Sequence, residues 1–371
     1  MRIGLLTLPL ETGYGSIMQA FALKTALVRQ GHEVILLRRL RKRSKYPLMH
    51  ILRRLIKKFV FFKFKTIVLI DKKELEEYAI VSQHTQRFID SNLRPFSPVY
   101  LSSEDFKQVN KLNIDAIVVG SDQVWRPGYM DNIEDYFLAN IDNHIRKYSY
   151  AASLGVSEWI FPKKQTDACR NYVKDFIKTS VRERSSIDLC KKHLGITPEF
   201  VLDPTLLFDK SFYQQYIEEH NEKREGKMCV FVLDKNSDKK LLIDRLTEYL
   251  GKDYYYAANN TEDRSSPLET RIAPSVSSWL DAFNSADCIF TDSFHGCVFS
   301  IIFEKDFYVY VNKERGVERF HSLLGLLGLE NRIVDLSTKL SEMAPIEWND
   351  VAFKLEVMRK SSYHYLSLIK N

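Results

Sequence analysis

The sequence predicts an α/β protein of two Rossmann-like halves that face each other across a cleft, followed by a C-terminal helix. Three observations carry this expectation. Short apolar runs alternate with amphipathic stretches along most of the chain. A polar, helix-compatible stretch over residues 210–227 separates two such series. A chain of 371 residues suits two domains of ordinary size. The expected divisions are residues 1–209, residues 210–345, and a final helix within 346–371.

The first half opens as a βαβ unit. Residues 2–8 read as a strand, residues 9–16 as a loop holding Gly13 and Gly15, and residues 17–30 as a helix. Gly31 suits the position just past a helix end. Residues 32–37 read as the second strand. The two glycines allow close backbone approach, but the full dinucleotide fingerprint is absent, and so is an acid at the end of the second strand. Residues 114–120 form a buried parallel-type strand that runs into Ser121-Asp122-Gln123-Val124-Trp125. Further strand and loop units follow at 148–155, 176–185 and 199–205.

In the second half, strands are expected at 229–233, 254–258, 288–292 and 307–311. Helices are expected at 239–250, 276–286 and 317–329, and a last one at 349–370. Internal repeats and low-complexity segments are not visible.

Composition narrows the function classes. Apolar content of 45% and charged content of 27% are those of a soluble globular protein. Five scattered cysteines without metal-ligand spacing point to a reducing, cytoplasmic compartment and no required metal. The opening residues read as a strand and not as a secretory signal. No apolar run reaches the length of a transmembrane helix.

The net charge of +6 hides an asymmetry, because residues 38–73 hold 14 Lys or Arg and one acid. Within this stretch Ile51, Leu52, Leu55, Ile56, Phe59 and Val60 recur at helical spacing among basic residues. A basic amphipathic helix over about 41–70 fits peripheral contact with the inner face of a membrane. It equally fits a solvated helix packed on its own domain. No nucleic-acid motif accompanies the charge, which sets nucleic acid below both.

The segment Thr291-Asp292-Ser293-Phe294-His295-Gly296-Cys297 holds the leading site candidate. It reads as a strand end, a loop and a helix start, so the loop presents His295 at the carboxyl edge of a sheet. Ligands of open α/β sheets bind at that edge, and helix N-termini favour anions. A histidine there exchanges protons near neutral pH. Asp122 and Asp292 also end strands. Asp292 is best read as a cap of the following helix, and Asp122 as an open site candidate. Trp125 either stacks on a sugar or fills the core. Gly13, Tyr14, Gly15 and Gln19 form a glycine loop and helix start toward the cleft. A Cys297–His295 nucleophilic pair has no other support in the chain.

These pieces, in order, resemble the polysaccharide pyruvyl transferase family. The carrying residues are Gly13-Tyr14-Gly15-Ser16 with Gln19-Ala20-Phe21-Ala22-Leu23, Gly120-Ser121-Asp122-Gln123-Val124-Trp125, and Tyr150-Ala151-Ala152-Ser153-Leu154-Gly155. They continue with Ser180-Val181-Arg182-Glu183-Arg184, Val201-Leu202-Asp203-Pro204-Thr205, and Thr291-Asp292-Ser293-Phe294-His295-Gly296. The resemblance implies transfer of a pyruvyl group from phosphoenolpyruvate onto two hydroxyls of a sugar. The product is a cyclic ketal, and phosphate is released. It implies a capsular, exopolysaccharide or cell-wall glycan as acceptor, often lipid-linked, and no cofactor beyond the donor substrate.

By the same resemblance, His295 is the proton-transfer residue and Arg182 binds the donor's phosphate or carboxylate, with Arg184 second to it. One departure stands out. Some branches carry arginine two residues before the histidine, where this chain has Ser293. Its role then falls to Ser293, to loop N–H groups such as that of Gly296, or to Lys313, Arg315 or Arg319. Arg315 and Arg319 share a face if that segment is helical.

Two halves around a cleft also resemble the GT-B architecture of nucleotide-sugar glycosyltransferases. The alternatives are therefore a GT-B-like glycosyltransferase and a non-catalytic membrane- or glycan-binding protein on the same scaffold.

Overall fold

In the N-terminal half, strands β1 (Arg2–Leu6), β2 (Glu33–Arg39), β3 (Phe96–Tyr100), β4 (Ala116–Val119), β5 (Arg146–Ser149) and β6 (Phe176–Lys178) form one sheet. Its order, β3-β2-β1-β4-β5-β6, is that of a doubly wound dinucleotide-type sheet, and every pairing is parallel. The computed structural model describes residues 1–41, 72–219, 224–234, 236–259, 261, 263–311 and 316–370. The basic segment read as an amphipathic helix therefore lies outside the described residues.

The central strands are apolar on both faces because helices cover both sides. In β4 all four residues are buried. The helix Tyr14–Arg29 follows β1 and buries Ile17, Met18, Ala20, Phe21, Leu23 and Leu27. It stops where Gly31 takes a φ of +85°, which glycine adopts without strain. A two-stranded parallel ribbon, β7 (Ser180–Val181) with β8 (Glu199–Phe200), extends this half toward the cleft.

The second half has its own parallel sheet of β9 (Met228–Phe231), β10 (Tyr254–Tyr256), β11 (Cys288–Thr291) and β12 (Asp306–Val309), in the order β10-β9-β11-β12. The fold is thus α/β, with two Rossmann-like halves and a cleft between their strand ends. The expected long polar helix over 210–227 is instead the short helix Lys210–Gln214, followed by irregular chain. Edge strand β3 is not among the strands read from the sequence, because Ser97 and Pro98 interrupt its apolar run.

The last helix, Trp348–Ser367, returns to the first half. Tyr365 Oη donates to Ser149 O at 2.7 Å, Arg359 Nε to Leu206 O at 2.7 Å, and Leu202 N to Ser362 Oγ at 3.0 Å. One apolar core runs through both halves, joining Ile17 and Phe21 to Trp279, Phe283 and Phe299. Tyr14 bridges them most directly. Its ring stacks on Trp279 at 5.0 Å, and its hydroxyl donates to Pro274 O at 2.8 Å. Such stacked pairs contribute about 0.5–1.5 kcal/mol beyond area burial. Among the described residues, no helix is long and apolar enough to cross a membrane.

Candidate active site

Successive strand ends of the first half hydrogen-bond to one another and bring distant motifs together. Ser153 N donates to Asp122 O at 3.0 Å, Arg182 N to Ala152 O at 3.4 Å, and Val201 N to Val181 O at 3.1 Å. This ladder sets Asp122, Arg182, Glu183 and Asp203 side by side at one sheet edge. Gly155, at φ +67°, lies so close to Gln123 that a Cβ there would stand 2.1 Å from Oε1. Only glycine lets these two loops touch.

The second half supplies His295. It sits in the first turn of the helix Phe294–Ile302, not in the preceding loop, because Ser293 is the cap. Ser293 Oγ accepts from Gly296 N at 3.3 Å, and Ser293 N donates to Thr291 Oγ1 at 3.0 Å. Asp292 does not cap the helix, contrary to expectation. Its carboxylate turns inward, accepting from Leu233 N at 2.7 Å and pairing with the buried Lys239 ammonium at 2.5 Å. It orients the loop and not the imidazole.

Asp203 takes that place, and sequence reasoning missed it. Its Oδ2 lies 3.5 Å from His295 Nε2 and 2.7 Å from Arg182 Nη1. Oδ1 accepts from Thr205 Oγ1 at 2.6 Å and Thr205 N at 3.0 Å. Burial opposes ionisation of Asp203. The neighbouring His295 and Arg182 charges outweigh it, together with the hydrogen bonds, and hold the carboxyl far below its ordinary range. The other edge of the imidazole meets the first helix. A Cβ on Gly15 would stand 2.1 Å from His295 Nδ1, so only glycine leaves room for the ring.

Arg182 is 5% exposed and held between two carboxylates, with Nε 3.2 Å from Glu183 Oε1 as the second pair. Its Nη2 is buried without a hydrogen-bond partner. Asp122 adopts a φ of +72°, a left-handed conformation that costs a non-glycine residue of order 1 kcal/mol. Its Oδ2 accepts from Ser16 Oγ at 2.8 Å and its Oδ1 from Gln123 N at 2.8 Å. Burial would raise its pKa, but the Arg182 and His295 charges and the Ser16 bond draw it below the ordinary value.

His295 and Asp122 border an inter-half cavity of about 410 Å³, while Arg182 and Asp203 do not line it and are buried against them. Gly13, Tyr14, Gly15, Asp122, Ser293, His295 and Arg319 line it, joined by Ser16, Gln123, Asp234, Tyr256 and Asn259, which the sequence did not single out. Several expected residues lie elsewhere. Trp125 is fully buried, stacked on Phe137 at 5.0 Å with its indole N–H on Tyr136 O, so it is core. Gln19 is buried and donates to Thr7 Oγ1 and Ser16 O, which braces the glycine loop from behind. Arg184 is exposed, with its guanidinium over Phe200. Gly296 faces Thr291, where a Cβ would stand 2.1 Å from Oγ1. Lys313 and Arg315 lie outside the described residues. Cys297 is fully buried, and burial pushes its thiol far above the ordinary range, which removes it as a nucleophile.

The arrangement places a histidine, an ionised acid and a buried guanidinium, His295, Asp122 and Arg319, on the cleft wall, with the Asp203–Arg182 ion pair buried against the histidine. That combination suits proton transfer to an anionic substrate. A cleft site between two Rossmann-like halves defines the class, and the sequence comparison names the family. The chain belongs to the polysaccharide pyruvyl transferase family, whose pattern matches residues 14–314.

No curated protein matches the sequence. Solved structures of similar outline include an alpha-glucosyltransferase in complex with UDP and a 13-mer DNA, at 11% identity and TM-score 0.46, covering 98% of this chain and 90% of that one. The glycosyltransferase SsfS6 of Streptomyces sp. SF2575 has 12% identity and TM-score 0.43 over 100% of both chains. The UDP-GlcNAc 2-epimerase of Methanocaldococcus jannaschii has 11% identity and TM-score 0.44, covering 97% and 93%.

Proposed function

We propose that this protein moves a pyruvyl group from phosphoenolpyruvate onto two hydroxyls of one sugar in a glycan acceptor, forming a cyclic ketal and releasing phosphate. The observation that carries the reading is His295. It is held between Gly15 and Asp203 at the cavity wall, beside the Arg182 guanidinium, in a chain of this family.

Each group has a role set by its surroundings. Asp203, 3.5 Å from Nε2, orients the imidazole by its charge, Nδ1 is packed on Gly15, and Nε2, which has no hydrogen-bond partner, is the ring atom that carries the proton. His295 delivers a proton to the methylene carbon, and positive charge develops on the neighbouring carbon. A sugar hydroxyl attacks that carbon and returns its proton to the deprotonated His295, phosphate departs with the former enol oxygen, and a second hydroxyl closes the ring as its proton passes to the leaving phosphate. Asp122 stays ionised. Its lowered pKa makes it a poor base, so its part is to accept a hydrogen bond from the attacking hydroxyl and to offset the developing charge. Arg182 offers its unpartnered Nη2 to the donor's anion. The N–H groups at the start of the helix Tyr14–Arg29 face the same cavity and suit the same charge.

The deciding experiment is a thermal-shift titration with phosphoenolpyruvate, UDP-galactose and GDP-mannose. Ligand saturation at about 100 times Kd stabilises by about 2.7 kcal/mol, which is readily seen. Selective stabilisation by phosphoenolpyruvate is expected. Phosphate release and a product heavier by the pyruvyl group should then follow with a suitable glycan. Stabilisation only by a nucleotide sugar would overturn the donor assignment.

A further inference from the structure

We infer that Tyr254 and Tyr256, with Asp234 beside the cleft, form a second sugar subsite at the cavity mouth, which holds the glycan unit next to the one that is modified. The inference deepens the reading above, because it makes the acceptor a chain of sugars and not a single one. It rests on that reading for the reaction but not for the binding of a glycan.

Strand β10 ends the second sheet, and among the described residues only β9 pairs with it. Along it Tyr254 is exposed, Tyr255 half-buried and Tyr256 exposed. Tyr255 turns inward and donates from Oη to Ala282 O at 2.6 Å. The period of two sends the other two rings to the opposite face. There they meet edge to face with centroids 5.7 Å apart, at 40% and 42% exposure. Tyr256 and the exposed Leu233 also line the cavity that holds His295. The rings are therefore continuous with the cleft and not an isolated surface patch.

Sheet order sets the span. Strand β9 lies between β10 and β11, so at about 4.8 Å per strand Tyr256 stands about 10 Å across the sheet from the strand that leads to His295. That distance exceeds the width of one sugar ring. Tyr254 lies roughly 7 Å further down its strand, away from the cleft. A sugar whose hydroxyls reach His295 leaves the tyrosines to its neighbour in the chain.

The charges on this wall favour a neutral partner. Asp234 lines the cavity and pairs with Lys239, whose ammonium also serves Asp292. Two carboxylates thus share one cation. The exposed pair Lys240–Asp244, 3.1 Å apart, borders the rings and adds no net charge. Phosphates and nucleotides are repelled here, whereas sugar hydroxyls donate to a carboxylate. A tyrosine offers an apolar ring and a polar tip, which match the C–H face and the hydroxyl rim of a sugar.

The test uses the full chain and isothermal titration with galactose, glucose and N-acetylglucosamine, each as monosaccharide, disaccharide and trisaccharide. In at least one series the trisaccharide should bind about tenfold tighter than the monosaccharide. Tyr256→Ala and Tyr254→Ala should each remove most of that ratio, and Tyr256→Phe, which keeps the ring, should retain it. Both side chains are exposed, so the fold survives these changes. Equal affinity at every chain length, absence of binding in all series, or alanine variants with an unchanged ratio would each overturn the inference. So would UDP binding that is lost in Tyr256→Ala, since the rings would then stack on a base. Titration with phosphoenolpyruvate separates the two readings. If it does not bind while the chain-length ratio persists, the donor reading falls and this subsite stands. If it binds and the ratio is absent, the inference falls and the donor reading stands.

Discussion

Two strand-to-helix turns face the cleft, one after β1 and one after β11, and they do opposite things. The first enters its helix through Gly13, which makes no side-chain cap bond. Its first N–H groups lie at the cavity without intrahelical partners. The second enters its helix through Ser293, whose hydroxyl takes the Gly296 N–H, while Asp292 is tied to Lys239 and Leu233. The capped turn fixes a side chain, His295, in one orientation. The uncapped turn offers space and a positive helix end. The same local plan thus yields a rigid reactive group on one wall and an anion-receptive surface on the other.

Substitutions can break this division of labour. The largest expected effect is His295→Gln, which should lower turnover by about 10²–10⁴-fold, measured by phosphate release, while the fold survives. A variant with wild-type activity would end the proton-transfer assignment.

Asp203→Asn comes next. It leaves the buried Arg182 without its closest carboxylate partner and should cost about 3–5 kcal/mol in chemical denaturation at neutral pH. The pH dependence has a definite sign. Asp203 has a depressed folded-state pKa, so its contribution is present above the unfolded value of about 3.9 and fades as pH falls below it. The wild-type melting temperature should therefore drop more steeply than that of the variant below about pH 4.

Gly15→Ala should cost about 10²-fold in turnover, because the added methyl displaces His295, and a misplacement of about 1 Å has that effect. Gly13→Ala sharpens the comparison. Its methyl meets only the Ser16 side chain, at 3.7 Å from Oγ and 4.0 Å from Cβ, so activity should be largely kept.

The smallest effect belongs to Ser293→Ala, the loss of one helix cap, worth about 1 kcal/mol of stability with phosphate affinity unchanged. A large loss of phosphate affinity in that variant would show that Ser293 touches the anion after all.

Much of the fold was readable because parallel strands buried on both faces stand out as apolar runs. Strands β1, β4, β9 and β11 were located within a few residues in this way. His295, Asp122 and the glycine turn were found because strand ends and glycines mark themselves. Asp203 lies within the motif Val201–Thr205, but no local signal marks it as a site residue. An acid before proline reads as a turn cap, and it does bond Thr205 in that way. Its second oxygen reaches a histidine 92 positions later. Trp125 had the opposite fate, since no local signal separates a sugar platform from a core ring.

Local pattern settled which segments become strands and helices, since period, apolar runs and glycine signals depend on neighbours in the chain. It also marked where the two halves present their edges. Tertiary packing alone decided which charges meet. The pairing of Asp203 with His295, the packing of the Arg182 and Arg319 guanidiniums on the Phe294 ring, and the inward turn of Asp292 all join residues far apart in sequence. Coulomb energy depends on distance in space and on burial, neither of which the order of residues records.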